Sequence, residues 1–112
     1  MFENLTIDTQ GAIGILTLNR PKKLNALSRQ TLVEIVQAAA WFDARPDVKV
    51  VIVSGQGQAF SAGADLESFN GETDQDVRAA ADQGRLMAEA MENMRAVTVA
   101  SIQGWCVGGG LV

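Results

Sequence analysis

Two near-continuous apolar runs, VKVVIVSG at residues 48–55 and AVTVASIQG at residues 96–104, constrain the fold of this chain more than any other feature. Both are rich in β-branched residues and both end in glycine, a pattern that fits short strands buried on two faces. Strands of that kind are joined in parallel, and a parallel connection needs a long, right-handed crossover, usually a helix. The chain supplies one before each run. Ser28 can cap a helix reaching about Ala44, with Leu32, Ile35, Val36, Ala39 and Phe42 recurring at three- and four-residue spacing, and Pro46 lies just beyond its end. A polar stretch then leads to Thr73, whose hydroxyl fits a capping box with Asp76, opening a helix to about Arg95. Its apolar stripe is Leu86, Met87, Ala90, Met91 and Met94, a methionine-rich face that reads as core.

Ahead of the first helix, Leu5 and Ile7 alternate with polar residues, Gln10 and Gly11 offer a turn, and AIGILTLNR at residues 12–20 is rich in β-formers. Together they predict an antiparallel hairpin. Pro21 stops its second strand, and RPKKLNAL continues as a loop. The order strand, strand, helix, strand, helix, strand, without repeats or an internal boundary, places the 112 residues in one α/β unit.

The totals narrow the chemistry. There is no histidine, so nucleophiles activated by imidazole are excluded, and with one cysteine a soft metal site is not expected. Cys106, between Trp105 and Val107, reads as a buried thiol suited to a reducing cytoplasm. The net charge of −4 argues against a nucleic-acid surface. The N-terminal MFENLTIDTQ lacks the pattern of a secretory signal, and no apolar run is long enough for a membrane helix. Arg20, Lys22 and Lys23 cluster in one loop, where they either meet a small anionic ligand or are simply solvated.

Each buried strand is followed by a glycine-rich segment: GQGQAFSAGADL after the first and GWCVGGGLV after the second. Sheets with parallel strands bind ligands at the carboxyl ends of those strands, so the two segments are placed to share a site. Glycine lets another group approach the main chain closely, and the run Gly108, Gly109, Gly110 precedes a place where a helix with unpaired N–H groups is expected. The plainer alternative is that these glycines only make turns and tight contacts. A dinucleotide-binding loop is disfavoured, because Phe60 stands where the fingerprint started by Gly55 and Gly57 needs glycine or alanine.

NRPKKLNAL, VVIVSGQGQAFSAGADL and SIQGWCVGGG, in that order, resemble the enoyl-CoA hydratase/isomerase family, the crotonases. The resemblance implies a crotonase-like spiral of β-β-α units, of which residues 1–112 would be the N-terminal part, incomplete at the C-terminus. It implies an acyl-CoA thioester as ligand, with coenzyme A as part of the substrate rather than a separate cofactor. Two backbone N–H groups, placed by the motif match at Ala62 and Gly109, would hold the thioester oxygen as it becomes an enolate. Ala62, Gly63, Ala64, Asp65 and the adjoining Leu66 would form the strip beside the pantetheine and adenine. The loop carrying Lys22, Lys23, Leu24 and Ala26 would fold beside the nucleotide, with a lysine reaching a phosphate. For Asp65 the competing reading is a cap of the following turn. The family implies a homo-oligomer, a trimer or hexamer, for a full-length domain.

The pattern departs in one place that bears on chemistry. Family hydratases carry a glutamate two residues past the glycine run, and here that residue is Val112, which has no proton to transfer. The resemblance therefore leans toward isomerisation or another enolate reaction over hydration. The alternative is a truncated, non-catalytic remnant that binds acyl-CoA or only assembles with other subunits.

Overall fold

The hairpin, the crossovers and the parallel strands combine into one mixed sheet in the computed structural model, which describes residues 2–66 and 73–112. Strands β1 (Leu5–Gln10) and β2 (Ile13–Leu18) are antiparallel, with Gln10 paired to Ile13 across the turn at Gly11 and Ala12. Strand β3 (Val50–Gly55) runs parallel to β2, and β4 (Val97–Ala100) runs parallel to β3, so the spatial order is β1-β2-β3-β4. Helix α1 (Arg29–Asp43) makes the crossover from β2 to β3, and α2 (Asp74–Glu92) makes the one from β3 to β4. The carboxyl ends of β3 and β4 therefore open on the same edge, and both glycine-rich segments leave from it.

Local chemistry explains where the helices start. The Ser28 hydroxyl accepts from the Thr31 N–H at 3.1 Å, and the Thr73 hydroxyl accepts from the Asp76 N–H at 3.1 Å. Each satisfies a donor the first turn leaves unpaired, and Asp74 and Asp76 also place negative charge at the positive end of the α2 dipole. The reciprocal half of a capping box is not seen among the described residues. The polar stretch at residues 67–72 lies outside them.

The face of α1 that carries Leu32, Ile35, Ala39 and Phe42 packs with Leu5, Leu16, Leu18 and Val51 into the core. Glu34, on the flank of α1 beside this face, is also buried, only 1% exposed. Its Oε1 accepts from the N–H groups of Glu3 and Asn4 at 3.0 and 2.9 Å, and its Oε2 accepts from Gln30 Nε2 at 2.9 Å. A buried carboxylate is tolerated because three donors replace its water. It ties the helix to the segment entering β1.

Four expectations are corrected. β4 is four residues long instead of nine, and it is exposed, with Val97 at 64%. α2 packs against α1, and β4 is the outermost strand of the sheet. For the same reason β3 is mostly half-buried, with Val51 fully covered. On α2 only Met87 is buried, Met94 is buried beyond its end, and Leu86 is 43% exposed. Cys106 is half-buried, and Trp105 beside it is 64% exposed. Beyond Val107 the chain forms a single 3-10 turn, Gly108–Gly110.

Phe42 is fully buried beneath β2 and β3 and meets Trp41 edge to face, with ring centroids 5.2 Å apart. Phe42→Ala is expected to lower the unfolding free energy by about 3–5 kcal/mol, read from urea unfolding followed by circular dichroism.

Candidate functional site

The segment after β3 is held as an extra strand between two others. On one side Ser61 forms an isolated parallel bridge with Cys106: the Ser61 N–H donates to Trp105 O at 3.1 Å and the Val107 N–H donates to Ser61 O at 3.2 Å. On the other side Ala64 is bridged in parallel with Leu27: the Leu27 N–H donates to Gly63 O at 2.7 Å and the Asp65 N–H donates to Leu27 O at 3.0 Å. In a parallel pair of this form the bridged residue turns its own N–H away from its partner strand. Ala64 thus presents its N–H on the side of the glycine run.

The glycine run comes close there. A Cβ built on Gly109 would stand 4.0 Å from the Ala64 nitrogen, and one built on Gly63 would stand 3.5 Å from the Gly109 nitrogen. Gly63 has φ +93°, and its Cβ would press to 2.9 Å of Val107 O, so glycine is required for both conformation and approach. In the 3-10 turn the first bond is Gly110 N–H to Val107 O at 2.9 Å, which leaves the Gly109 N–H before the hydrogen-bonded ladder begins. Among the described residues neither the Ala64 nor the Gly109 N–H has a hydrogen-bond acceptor.

Ala62 is different from expectation. Its N–H donates to Leu24 O at 3.0 Å, so this donor is engaged within the protein. Gly63 N–H is engaged too, with the Ser61 hydroxyl at 3.2 Å. Alternation along the extended segment accounts for this, because successive N–H groups face opposite neighbours.

The loop expected beside the nucleotide contains a 3-10 turn, Pro21–Lys23, followed by Leu24 and Asn25 in the left-handed region with φ of 52° and 55°. Lys22, Lys23 and Leu24 are exposed, and Ala26 is half-buried. Asn25 was not singled out by sequence, yet it is 1% exposed and central: Oδ1 accepts from Arg20 N–H at 2.8 Å, and Nδ2 donates to Gln56 O and Ala59 O at 2.9 and 2.8 Å. An asparagine inside a cationic loop was the available signal, since Asn adopts the left-handed conformation readily.

Arg20 is likewise a builder of the site. Its Nη1 donates to Ala26 O at 2.6 Å and its Nη2 pairs with Asp65 Oδ2 at 3.0 Å, both side chains being mostly buried. The Asp65 carboxylate is thus engaged by a charge-assisted bond that joins the two loops. Gln103 adds a third tie, its Nε2 donating to Gly55 O and Gly57 O. Ser61, fully buried, donates its hydroxyl to Asn25 O at 2.8 Å.

A cavity of about 430 Å³ opens beside the two unengaged donors, lined by Ala64, Gly109, Leu27, Leu66 and the near face of α2. A second, of about 440 Å³, lies between α2 and the sheet and shares Leu27, Met87, Gly109 and Val112 with the first. Among the described residues no group of three or more His, Cys, Asp or Glu side chains could hold a metal ion, and no helix is long and apolar enough to cross a membrane.

Fold and loops together define an α/β protein that offers paired main-chain donors at the carboxyl edge of parallel strands. The chain belongs to the enoyl-CoA hydratase/isomerase family, whose sequence model matches residues 8–112. It is 37% identical to a probable enoyl-CoA hydratase of Mycobacterium tuberculosis over 97% of this chain and 42% of that protein. It is 33% identical to a peroxisomal Delta(3,5)-Delta(2,4)-dienoyl-CoA isomerase of Arabidopsis thaliana over 93% of this chain and 42% of that protein. Among solved structures, an enoyl-CoA hydratase/carnithine racemase from Magnetospirillum magneticum superposes with a TM-score of 0.93 at 32% identity, over 99% of this chain and 43% of that one. The fold is therefore crotonase-like, and the chain spans about 42% of the length of the curated relatives it matches.

Removing the Asn25 amide leaves the buried Ala59 carbonyl and the part-buried Arg20 N–H and Gln56 carbonyl short of partners. Asn25→Ala is expected to cost at least about 2 kcal/mol in a urea melt, with the loop ties failing before the sheet in hydrogen exchange.

Proposed function

We propose that this chain binds an acyl-CoA thioester with its carbonyl oxygen between the N–H groups of Ala64 and Gly109, and that the pair stabilises the negative charge that gathers on that oxygen when a base takes the α-proton. The observation that carries the reading is the pair itself: two main-chain donors from different loops, close together, on residues that line one cavity and without acceptors among the described residues. Donors fixed before the reaction stabilise developing negative charge without reorganisation. Ala64 replaces Ala62 as the first-loop donor because the Ala62 N–H is engaged by Leu24. Gly109 keeps the role implied by its motif.

Around that centre, the small residues Ala62 and Gly63 let the pantetheine lie along the strip, and Leu66 edges the cavity where the acyl group enters. Asp65 acts through Arg20 to hold the strip in place, not as a contact to the ligand. Leu24 and Ala26 are positioning residues whose carbonyls accept from Ala62 and Arg20, and the exposed Lys22 and Lys23 offer charge to the coenzyme A phosphates. Coenzyme A arrives as part of the substrate.

Val112 lines both cavities with an apolar side chain. A proton cannot be relayed there, which supports double-bond isomerisation or another enolate reaction over hydration. Binding without turnover is the remaining reading, and the same residue favours it.

Spectrophotometric assays with crotonyl-CoA and a 3-enoyl-CoA separate these outcomes. Turnover of the 3-enoyl thioester alone is expected; hydration of crotonyl-CoA would overturn the preference, and absence of both with retained calorimetric binding would leave a binding protein. Replacing the Ala64 peptide N–H by an ester oxygen through semisynthesis should lower turnover about 10²- to 10³-fold, whereas the same change at Ala62 should act through stability.

A further inference from the structure

We infer that Gly84 of α2 sets the depth of an acyl subsite for uncharged hydrocarbon chains, an inference that rests on the acyl-CoA reading of the Ala64 and Gly109 donors. Ala80, Ala81, Gly84 and Met87 stand at three- and four-residue spacings on one face of α2 and line the cavity of about 430 Å³ that those donors border. Its volume falls in the range of small-molecule pockets, about 300–1,000 Å³.

Gly84 is the residue that demands an explanation. A glycine in the middle of a 19-residue helix weakens it, and close packing against a neighbour is the usual reason to keep one. Here that reason is missing: outside its own helix, no described atom lies within 4 Å of where a Cβ would stand. The half-buried backbone of Gly84 lines the cavity beside the donors, and among the described residues the place where its Cβ would stand is open. A side chain at this position would fill it.

The lining determines the class of acyl group. Leu32, Leu66 and Met87, with the small residues of α2, provide no ionisable side chain and no side-chain hydrogen-bonding group. Among the described residues the polar groups at its border are the two N–H donors, which the thioester oxygen would occupy. A hydrocarbon tail gains up to about fourfold in affinity for each methylene it buries, whereas a tail ending in carboxylate loses its hydration and finds no partner among the described lining residues.

Calorimetry on the whole chain with acetyl-, butanoyl-, hexanoyl- and octanoyl-CoA, with free coenzyme A and succinyl-CoA alongside, tests this. Affinity should rise with chain length and fall again for succinyl-CoA. In Gly84→Leu the ratio of octanoyl- to acetyl-CoA affinity should drop at least about tenfold, and in Gly84→Ala by a smaller step. Thermal melting of Gly84→Ala should be no lower than that of the unaltered chain, because the helix gains a better former. Equal affinity across the chain lengths, or an unchanged ratio in folded Gly84 variants, would overturn the subsite while leaving the thioester site standing. No binding of any thioester would overturn both.

Discussion

The parallel pairing of Leu27 with Ala64 governs the rest of the candidate site. Leu27 takes its two hydrogen bonds from either side of Ala64, at Gly63 O and Asp65 N, and the peptide between them has to face the other way. That single geometric fact turns the Ala64 N–H toward Gly109. The second pairing, Ser61 with Cys106, then fixes how far away the glycine run stands. Two short ladders, neither longer than one bridge, thus aim a pair of donors that lie more than forty residues apart in the chain.

The side chains around these bridges serve the same end. Asn25 joins the loop after β2 to the loop after β3 through Gln56 and Ala59, Arg20 joins it again through Asp65, and the Ser61 hydroxyl closes the triangle at Asn25 O. Such ties hold irregular backbone in place where no regular ladder is available. Ala64 is exposed and Gly109 half-buried, so water can satisfy their N–H groups in the unliganded state. The arrangement is therefore kept ready without the cost of buried, unsatisfied donors.

Much of the scaffold was legible in the sequence because its signals are local. The caps at Ser28 and Thr73, the period of α1 and the hairpin turn each depend on a few neighbouring residues, and each stands where the pattern predicts. Burial was less legible: β4 carries the composition of a covered strand, yet apolar composition records a need for cover without naming what provides it. The region of the site was legible through its glycine motifs, which mark close approach of backbone. The identity of the first donor was not, since Ala62 and Ala64 are the same residue type two positions apart, and only hydrogen-bond direction separates them. Asn25 and Glu34 were hidden for a related reason, because a buried polar side chain is recognisable only once its partners are known.

The direct test of the donor pair is a titration of the ¹⁵N-labelled protein with butanoyl-CoA and, separately, with free coenzyme A, followed by amide proton shifts. Hydrogen bonding to the thioester oxygen should move the Ala64 and Gly109 amide protons to lower field with butanoyl-CoA alone, while the Ala62 amide, already bonded to Leu24, stays in place. A shift at Ala62 with Ala64 unmoved, or equal shifts from free coenzyme A, would contradict the account.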